Sequence, residues 1–208
     1  PRDIIDIFEA KLATFAGSKY AVLTDSCTNA IFLSFKYLEE IEEVKTKEIE
    51  IPLQTYISVP MQILHLGRSV KFIEDKWNGI YFLNPTKIID SAGRFTKNMY
   101  VGDGYLQTLS FQIKKRIPIG KGGAILTNSR EAYEWLKLAS YDGRDLNTKY
   151  NSLNHVSILG WHYYMTPEDA ARGIILMDDA IAKFGEDMED VMNYSMYPRL
   201  DSFDFKFQ

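Results

Sequence analysis

The sequence of 208 residues contains a single cysteine, Cys27, and no long apolar run. One cysteine cannot form an internal disulfide, so we expect a reducing compartment. No apolar run approaches the roughly 20 residues of a membrane-spanning helix, and residues 1–3 do not resemble the start of a secretion signal. These absences predict a soluble, cytoplasmic protein that does not bind membranes.

An excess of basic charge is also missing, because 28 acidic and 24 basic side chains give a net charge of -4. A protein dedicated to nucleic acid needs a basic field, so we expect no nucleic-acid partner. The composition, 46% hydrophobic and 25% charged, is typical of a globular fold and excludes a disordered or fibrous one.

The motifs of several other chemistries are absent as well. Gly120-Lys121 lacks the upstream glycine and the following Ser or Thr of a phosphate-binding P-loop. No G-x-G-x-x-G follows a predicted strand, and no serine lies in a nucleophile elbow. The potential metal ligands are too far apart in sequence to predict a metal site: Cys27, His65, His155 and His162.

Strands and helices are predicted to alternate along the chain, which indicates an α/β fold with a mostly parallel central sheet and helices on both faces. The strands are predicted at residues 20–24, 48–52, 70–73, 87–90, 106–111 and 123–127. Helical spacing is found at residues 4–15, 31–41 and 56–66, and Ser129 caps a helix through Leu138. The last helix starts at Thr166-Pro167 and is expected to reach about Asn193, weakened near Gly185.

Polar groups follow several predicted strands, and each allows two interpretations. The hydroxyl-rich turn at residues 24–28 can bind an anion at a helix start, although simple capping by Asp25 or Ser26 is the more frequent role. Asp90 ends an apolar strand, where it can face a ligand or cap the next turn. Lys115 can be a Schiff-base amine, although paired lysines are more often solvated surface charge.

The order of these groups favours one cofactor. An anion-binding turn, an aromatic residue after a strand (Tyr56), a carboxylate at a strand end (Asp90) and a lysine before a glycine pair (Lys115) follow one another. Pyridoxal phosphate needs a phosphate cradle, a stacking partner, an anion beside its ring nitrogen and an amine for imine formation. The sequence therefore predicts a site for pyridoxal phosphate (PLP).

From about Phe8 to Leu176 the chain resembles the DegT/StrS family of PLP-dependent sugar aminotransferases. No single matching motif is specific, but their order and spacing are. The motifs are Phe8-Glu9, Phe15-Ala16-Gly17, Ser26-Cys27-Thr28-Asn29-Ala30, Pro52-Leu53-Gln54-Thr55-Tyr56, Gly67, Asp90-Ser91-Ala92, Ser110-Phe111 with the following lysine, Gly122-Gly123-Ala124, Gly143-Arg144 and Gly160-Trp161-His162-Tyr163-Tyr164-Met165.

The resemblance implies the fold type I architecture of aspartate aminotransferase. Residues 1–194 would form the PLP-binding large domain, and residues 195–208 a C-terminal tail, with the family's small domain absent or vestigial. The connection between Ile73 and Lys87 is also much shorter than the family usually has. A homodimer with shared active sites is expected.

The resemblance also implies roles at the site. Lys115, chosen over Lys114 by its spacing from the preceding serine, would form the internal aldimine. Asp90 would pair with the pyridinium nitrogen and Tyr56 would stack on the ring. The phosphate would be held by Cys27, Thr28 and Ser110, and by His162 across the dimer interface.

The function that the resemblance implies is transfer of an amino group, from L-glutamate, to a nucleotide-linked keto sugar. One alternative is a PLP-dependent sugar dehydratase or other lyase, although the family's sugar dehydratases carry histidine in place of Lys115. The other is a truncated, non-catalytic relative that binds a sugar nucleotide or a partner. Departures from the family pattern at Gly93, His162 and Tyr164 favour this second alternative.

Overall fold

The computed structural model describes residues 3–42, 45–145, 148, 156–186 and 192–202. His155 and residues 187–191 and 203–208 lie outside this range. The helices are α1 (Asp3–Ala16), α2 (Cys27–Glu40), α3 (Ser58–His65), α4 (Arg130–Ala139) and α5 (Pro167–Phe184), with a 3-10 turn at Tyr194–Met196. The strands are β1 (Tyr20–Thr24), β2 (Glu48–Pro52), β3 (Ser69–Ile73), β4 (Tyr81–Leu83), β5 (Ile88–Asp90), β6 (Leu106–Ser110) and β7 (Gly123–Thr127).

Five strands form the central sheet in the order β1-β7-β6-β5-β4. The α/β class is confirmed, but the expected mostly parallel sheet is wrong in detail, because only β5 and β6 pair in parallel and the other three pairs are antiparallel. A parallel pair needs a long crossover, usually a helix. The connections at residues 84–87 and 111–122 contain no helix, so the chain returns antiparallel.

The remaining strands, β2 and β3, form a separate parallel pair connected through α3. Two backbone hydrogen bonds between Glu50 and Asn84, of 2.8 and 3.0 Å, join this pair to the end of β4. The short strand β4 was not predicted from the sequence, because three residues are too few to show a period.

Helices cover both faces of the central sheet, as expected. Along β1 and β7, successive side chains point to opposite faces. Val22 and Ile125 face the core that contains α2, α3 and α4, whereas Leu23 and Leu126 face the core that contains α1 and α5. The α1 and α5 helices pack closely at Gly173, where an added Cβ would lie 2.4 Å from Phe8.

The last long helix is shorter than predicted. Thr166 caps it by accepting a hydrogen bond from the Asp169 N–H at 3.2 Å, and Pro167 begins it, as expected. It ends at Phe184 because Gly185 has φ +74°, a left-handed conformation that stops a helix. The expected extension to about Asn193 is therefore wrong at residues 185 and 186, which are not helical. Residues 187–191 lie outside the described range.

The C-terminal segment of residues 192–202 packs onto the domain. Leu200 is 1% exposed, and its N–H donates to the Leu53 carbonyl at 3.0 Å. The Gly79 N–H donates to the Met192 carbonyl at 3.0 Å. Of the helices in the described residues, none has the length and hydropathy for crossing a membrane.

Candidate active site

One edge of the central sheet collects the ends of four strands. The parallel strands β5 and β6 both finish there, at Asp90 and Ser110. Because β7 is antiparallel to β6 and β1 is antiparallel to β7, β7 begins at the same edge and β1 ends there. The sheet topology therefore brings together polar groups that lie up to about 90 positions apart in sequence.

A cavity of about 360 Å³ opens at this edge. Six of the seven residues that the sequence predicts for the site line it: Cys27, Thr28, Tyr56, Asp90, Ser110 and Lys115. His162 does not line it.

Asp90 lies at the base of the cavity and is 5% exposed. Its Oδ2 accepts a hydrogen bond from the Tyr81 hydroxyl at 2.5 Å, and its Oδ1 accepts one from the Ala92 N–H at 2.8 Å. Burial raises the pKa of Asp90 above its ordinary value, while these two donors and the positive charge of Lys115 oppose the rise. These specific partners therefore favour the ionised carboxylate, against the effect of burial.

Tyr81 extends this arrangement into a short chain of hydroxyl groups. Burial and the neighbouring Asp90 raise the pKa of the Tyr81 hydroxyl well above its usual value, so it stays protonated and donates. Its single proton is directed to Asp90, so the Thr55 hydroxyl, 2.5 Å away, donates to the Tyr81 oxygen. Neither residue was predicted as part of the site. Tyr81 lies on the unpredicted strand β4, and the role of Thr55 depends on its contact with Tyr81.

Lys115 is half-buried, whereas the adjacent Lys114 is exposed. A tight turn places them: the Lys115 N–H donates to the Gln112 carbonyl and the Lys114 N–H donates to the Gln112 side chain, both at 2.8 Å. The Lys115 Nζ lies 3.1 Å from the sulfur of Met192. The choice of Lys115 over Lys114 as the cofactor-binding amine stays a prediction.

The start of helix α2 forms another wall of the cavity. Ser26 is the cap: its Oγ accepts from the Asn29 N–H at 3.1 Å, while Asp25 accepts from the Asn29 side chain at 2.7 Å. The Thr28 hydroxyl lies 2.8 Å from the Ser58 hydroxyl at the start of α3. Capping and a helix start open to a ligand thus coexist in this turn.

The Cys27 thiol points towards the sheet, donating to the Thr108 hydroxyl at 3.6 Å. Burial raises the pKa of Cys27, so the thiol stays neutral and is a poor nucleophile. The helix start approaches β7 very closely, since a Cβ added to Gly123 would lie 2.4 Å from the Cys27 nitrogen. Glycine at position 123 permits this contact.

Tyr56 stands on the opposite side of the cavity and is 59% exposed. Its backbone carbonyl accepts from the Val59 N–H at 3.0 Å, in the turn that starts α3. Stacking of its ring on a cofactor stays a prediction.

Aromatic and thioether side chains that were not predicted complete the cavity. Trp77 donates its indole N–H to the Gln54 carbonyl at 2.8 Å, and its ring lies 5.1 Å from that of Tyr81 and 5.7 Å from that of Tyr197. Met192 and Met196, from the C-terminal segment, also line the cavity. The sequence showed aromatic residues in this segment but no period that would place them.

The departure from the family pattern at Gly93 has a packing cause in this chain. A Cβ at this position would lie 2.9 Å from the backbone oxygen of Gly79. The short connection after β3 therefore occupies the space that a larger side chain would need.

His162 lies on the surface, away from the cavity of its own chain. Its Nδ1 is 2.9 Å from the Asp142 carboxylate, its ring packs edge-on against Tyr164, and its side chain is 66% exposed. The residue can therefore serve only a site outside the cavity described above.

The donor set of the cavity fits PLP. A buried carboxylate, a half-buried amine and a helix start with adjacent hydroxyl groups surround one space. These are the anion for the ring nitrogen, the amine for the aldehyde and the donors for the phosphate that PLP requires.

Comparison with known proteins gives a family match. The model of the DegT/DnrJ/EryC1/StrS aminotransferase family matches residues 3–97 and 89–182. No curated protein matches the chain.

Solved structures share the fold at low identity. AtS13 from Actinomadura melliaura has a TM-score of 0.74 and 20% identity over 86% of this chain and 60% of its own. PseC from Helicobacter pylori, an aminotransferase involved in the biosynthesis of pseudoaminic acid, has a TM-score of 0.69 and 18% identity over 85% of this chain and 58% of its own. A GDP-4-keto-6-deoxymannose-3-dehydratase scores 0.69 at 20% identity, over 85% of this chain and 61% of its own. The chain thus spans about three fifths of the length of these structures, and the likeness shows the type I fold of PLP-dependent transferases.

Proposed function

Because the chain belongs to the DegT/DnrJ/EryC1/StrS aminotransferase family, we propose that it transfers an amino group from L-glutamate to a nucleotide-linked keto sugar, with PLP as cofactor. The observation that carries this proposal is the meeting of Lys115 with the buried carboxylate of Asp90 in one cavity. A half-buried amine and a buried carboxylate that line the same cavity are typical of a catalytic site.

PLP, when bound, supplies an aldehyde that condenses with amines and a protonated ring that withdraws electrons from the substrate. Asp90 would keep the ring nitrogen protonated, because its two hydrogen-bond donors favour the ionised form of the carboxylate. Tyr81 and Thr55 are positioning residues that act through Asp90.

Lys115 would hold PLP through its Nζ. Once the amine of the donor has taken its place, the Lys115 Nζ would accept the α-proton of L-glutamate, and in the second half-reaction it would deliver a proton to the carbon of the keto sugar. Its half-buried position at the lining of the cavity supports this role.

The remaining predicted residues bind and orient the cofactor. The backbone N–H groups of Cys27 and Thr28, with the hydroxyls of Thr28 and Ser110, hold the phosphate at the positive end of α2. Tyr56 stacks on the ring. In a homodimer, the exposed position of His162 outside its own cavity supports its contribution to the second subunit's site.

The experiment that tests this function is a single-turnover reaction with L-glutamate. We expect PLP-loaded protein to lose its yellow absorbance as 2-oxoglutarate forms, and to recover it when a nucleotide-linked keto sugar is added. Lys115→Ala abolishes both changes, whereas Lys114→Ala, its exposed neighbour, retains them.

A dehydratase is the second outcome of this experiment. It would consume the sugar without net transfer of the glutamate nitrogen, and isotope-labelled glutamate would leave no label in the sugar. Absence of 2-oxoglutarate in the first half-reaction, with PLP bound, contradicts the aminotransferase proposal.

A further inference from the structure

The C-terminal segment of residues 192–202 forms one wall of the cavity. Three of its side chains line it: Met192, Met196 and Tyr197. The far end of the segment is anchored in the domain, because Leu200 is buried and its N–H donates to the Leu53 carbonyl at 3.0 Å. Burial of an apolar side chain is favourable by itself, so the segment is held in place without a ligand.

Backbone hydrogen bonds connect the near end of this segment to the short connection after β3. The Gly79 N–H donates to the Met192 carbonyl at 3.0 Å, and the Tyr194 N–H donates to the Trp77 carbonyl at 3.2 Å. The two bonds lie on either side of Asn193. They fix the backbone of Met192, and with it the direction in which the Met192 side chain leaves the segment.

The Met192 side chain ends at the amine of Lys115. The Lys115 Nζ donates to the Met192 sulfur at 3.1 Å. A thioether sulfur is an uncharged, weak acceptor, and the lysine ammonium has three donors. The bond therefore orients the amine, leaves donors for other partners, and breaks at little cost when the amine reacts.

The same short connection also supports the carboxylate of the site. Trp77, whose carbonyl accepts from the C-terminal segment, packs its ring 5.1 Å from that of Tyr81. Tyr81 in turn donates to Asp90. One stretch of backbone therefore supports Asp90 on one side of the cavity and, through the C-terminal segment, Lys115 on the other.

We propose that Met192 is a positioning residue for the Lys115 amine, which makes the C-terminal segment part of the catalytic site. This proposal rests on the proposed function, since it concerns the amine that would carry the cofactor. The Met192 sulfur restricts the long Lys115 side chain to conformations in which Nζ lies at the cavity. Ordering a lysine side chain costs conformational entropy, and a contact formed in advance removes part of that cost from the step in which the amine reacts.

NMR spectroscopy of protein labelled with methyl-¹³C methionine tests the contact without any cofactor. The Met192 methyl resonance is assigned from its loss in Met192→Leu. We expect it to shift in Lys115→Ala and to shift much less in Lys114→Ala, the exposed neighbour. The methyl resonance of Met61, a residue of α3 that does not line the cavity, is the internal control and should stay in place.

The rate at which PLP becomes attached to Lys115, measured by borohydride trapping at short times, tests the role. Met192→Leu keeps the volume but lacks the acceptor, so we expect attachment to slow about fivefold, as loss of one neutral hydrogen bond predicts. Met192→Gln supplies an oxygen acceptor on a side chain of similar length and should retain most of the rate. Met61→Leu is the matched control and should leave the rate unchanged.

The order of the two Met192 variants separates positioning from packing. A purely structural role predicts the opposite order, because leucine resembles methionine in volume and polarity and glutamine does not. Attachment that is as fast in Met192→Leu as in the wild type, or slower in Met192→Gln than in Met192→Leu, overturns this proposal and leaves the proposed function intact. An unshifted Met192 methyl resonance in Lys115→Ala overturns the contact itself. Absence of attachment in the wild type, with the methyl shift present, contradicts the proposed function instead.

Discussion

At the residue scale, the Thr55–Tyr81–Asp90 chain of hydrogen bonds stabilises the ionised form of a buried carboxylate. Each oxygen of Asp90 accepts from one donor, and Thr55 satisfies the oxygen of Tyr81. A buried carboxylate without such partners would take up a proton, because burial disfavours charge. The network therefore maintains the anion that the ring nitrogen of PLP requires.

Tyr81→Phe is expected to destabilise the protein in a pH-dependent way. The folded-state pKa of Asp90 is raised by burial, so the wild type loses stability as pH rises from the ordinary carboxyl range through that pKa. Tyr81 limits this loss by stabilising the anion. The deficit of Tyr81→Phe in unfolding free energy is therefore smallest at low pH and grows, as pH rises, to about 1.5–3 kcal/mol.

Denaturant unfolding at several pH values measures this deficit, with Tyr20→Phe as the control, since Tyr20 is a half-buried tyrosine that stacks on Tyr133 and does not line the cavity. A deficit for Tyr81→Phe that is the same at all pH values would show that its hydroxyl does not stabilise ionised Asp90.

The sequence predicted Asp90 and Lys115 because each follows a strand with a readable pattern, and because their order matches a known family. Tyr81, Thr55 and Trp77 could not be predicted in the same way. Their roles depend on which strands become neighbours in the fold, and the short connection that carries Tyr81 and Trp77 has no periodic pattern.

At the scale of elements, the site depends on how closely β7 approaches the start of α2. The helix start contacts the strand backbone directly at Gly123. Because the Cys27 amide lies at this contact, a shift of the strand would move the proposed phosphate cradle as well.

Gly123→Ala is expected to lower the unfolding free energy by about 1–3 kcal/mol, because its Cβ would overlap the Cys27 nitrogen. It should also weaken PLP binding. Gly67→Ala is the matched control: a Cβ there meets nothing within 4 Å, and only the strain of φ +70° remains, at a cost of about 1 kcal/mol. Equal effects of the two substitutions on PLP affinity would contradict a role for this contact in the cradle.

Sequence periodicity located most helices and strands, with β1, β2 and β7 matching at both ends. It failed for the direction of the strands, since pairing direction depends on the connections and not on the residues of a strand. It also extended α5 too far, because the helical pattern of the sequence continues past Gly185, whereas the positive φ of Gly185 ends the helix.

At the scale of the whole molecule, His162 and the cavity belong to different surfaces of one chain. In a homodimer with two-fold symmetry, the His162 of each subunit could lie at the cavity of the other subunit. The proposed homodimer is then required for a complete site.

A mixing experiment tests this arrangement. Lys115→Ala and His162→Ala are each expected to have little activity alone. When the two variants are mixed and allowed to exchange subunits, half of the dimers gain one intact site, so about a quarter of wild-type activity returns. Asp142→Asn in place of His162→Ala controls for general surface changes. Asp142 contacts His162 through its Nδ1, at 2.9 Å, and also contacts Arg144, so the variant keeps the imidazole and should keep most activity. No recovery on mixing, with exchange verified, would contradict the shared site.

The account as a whole depends on Lys115 being the residue that carries the cofactor. Incubation of the protein with PLP, reduction with borohydride and mass spectrometry of the peptides measures this directly. We predict a pyridoxyl adduct on Lys115 in the wild type and in Lys114→Ala, and none in Lys115→Ala. An adduct on Lys114 or another lysine, or its persistence in Lys115→Ala, would contradict the account.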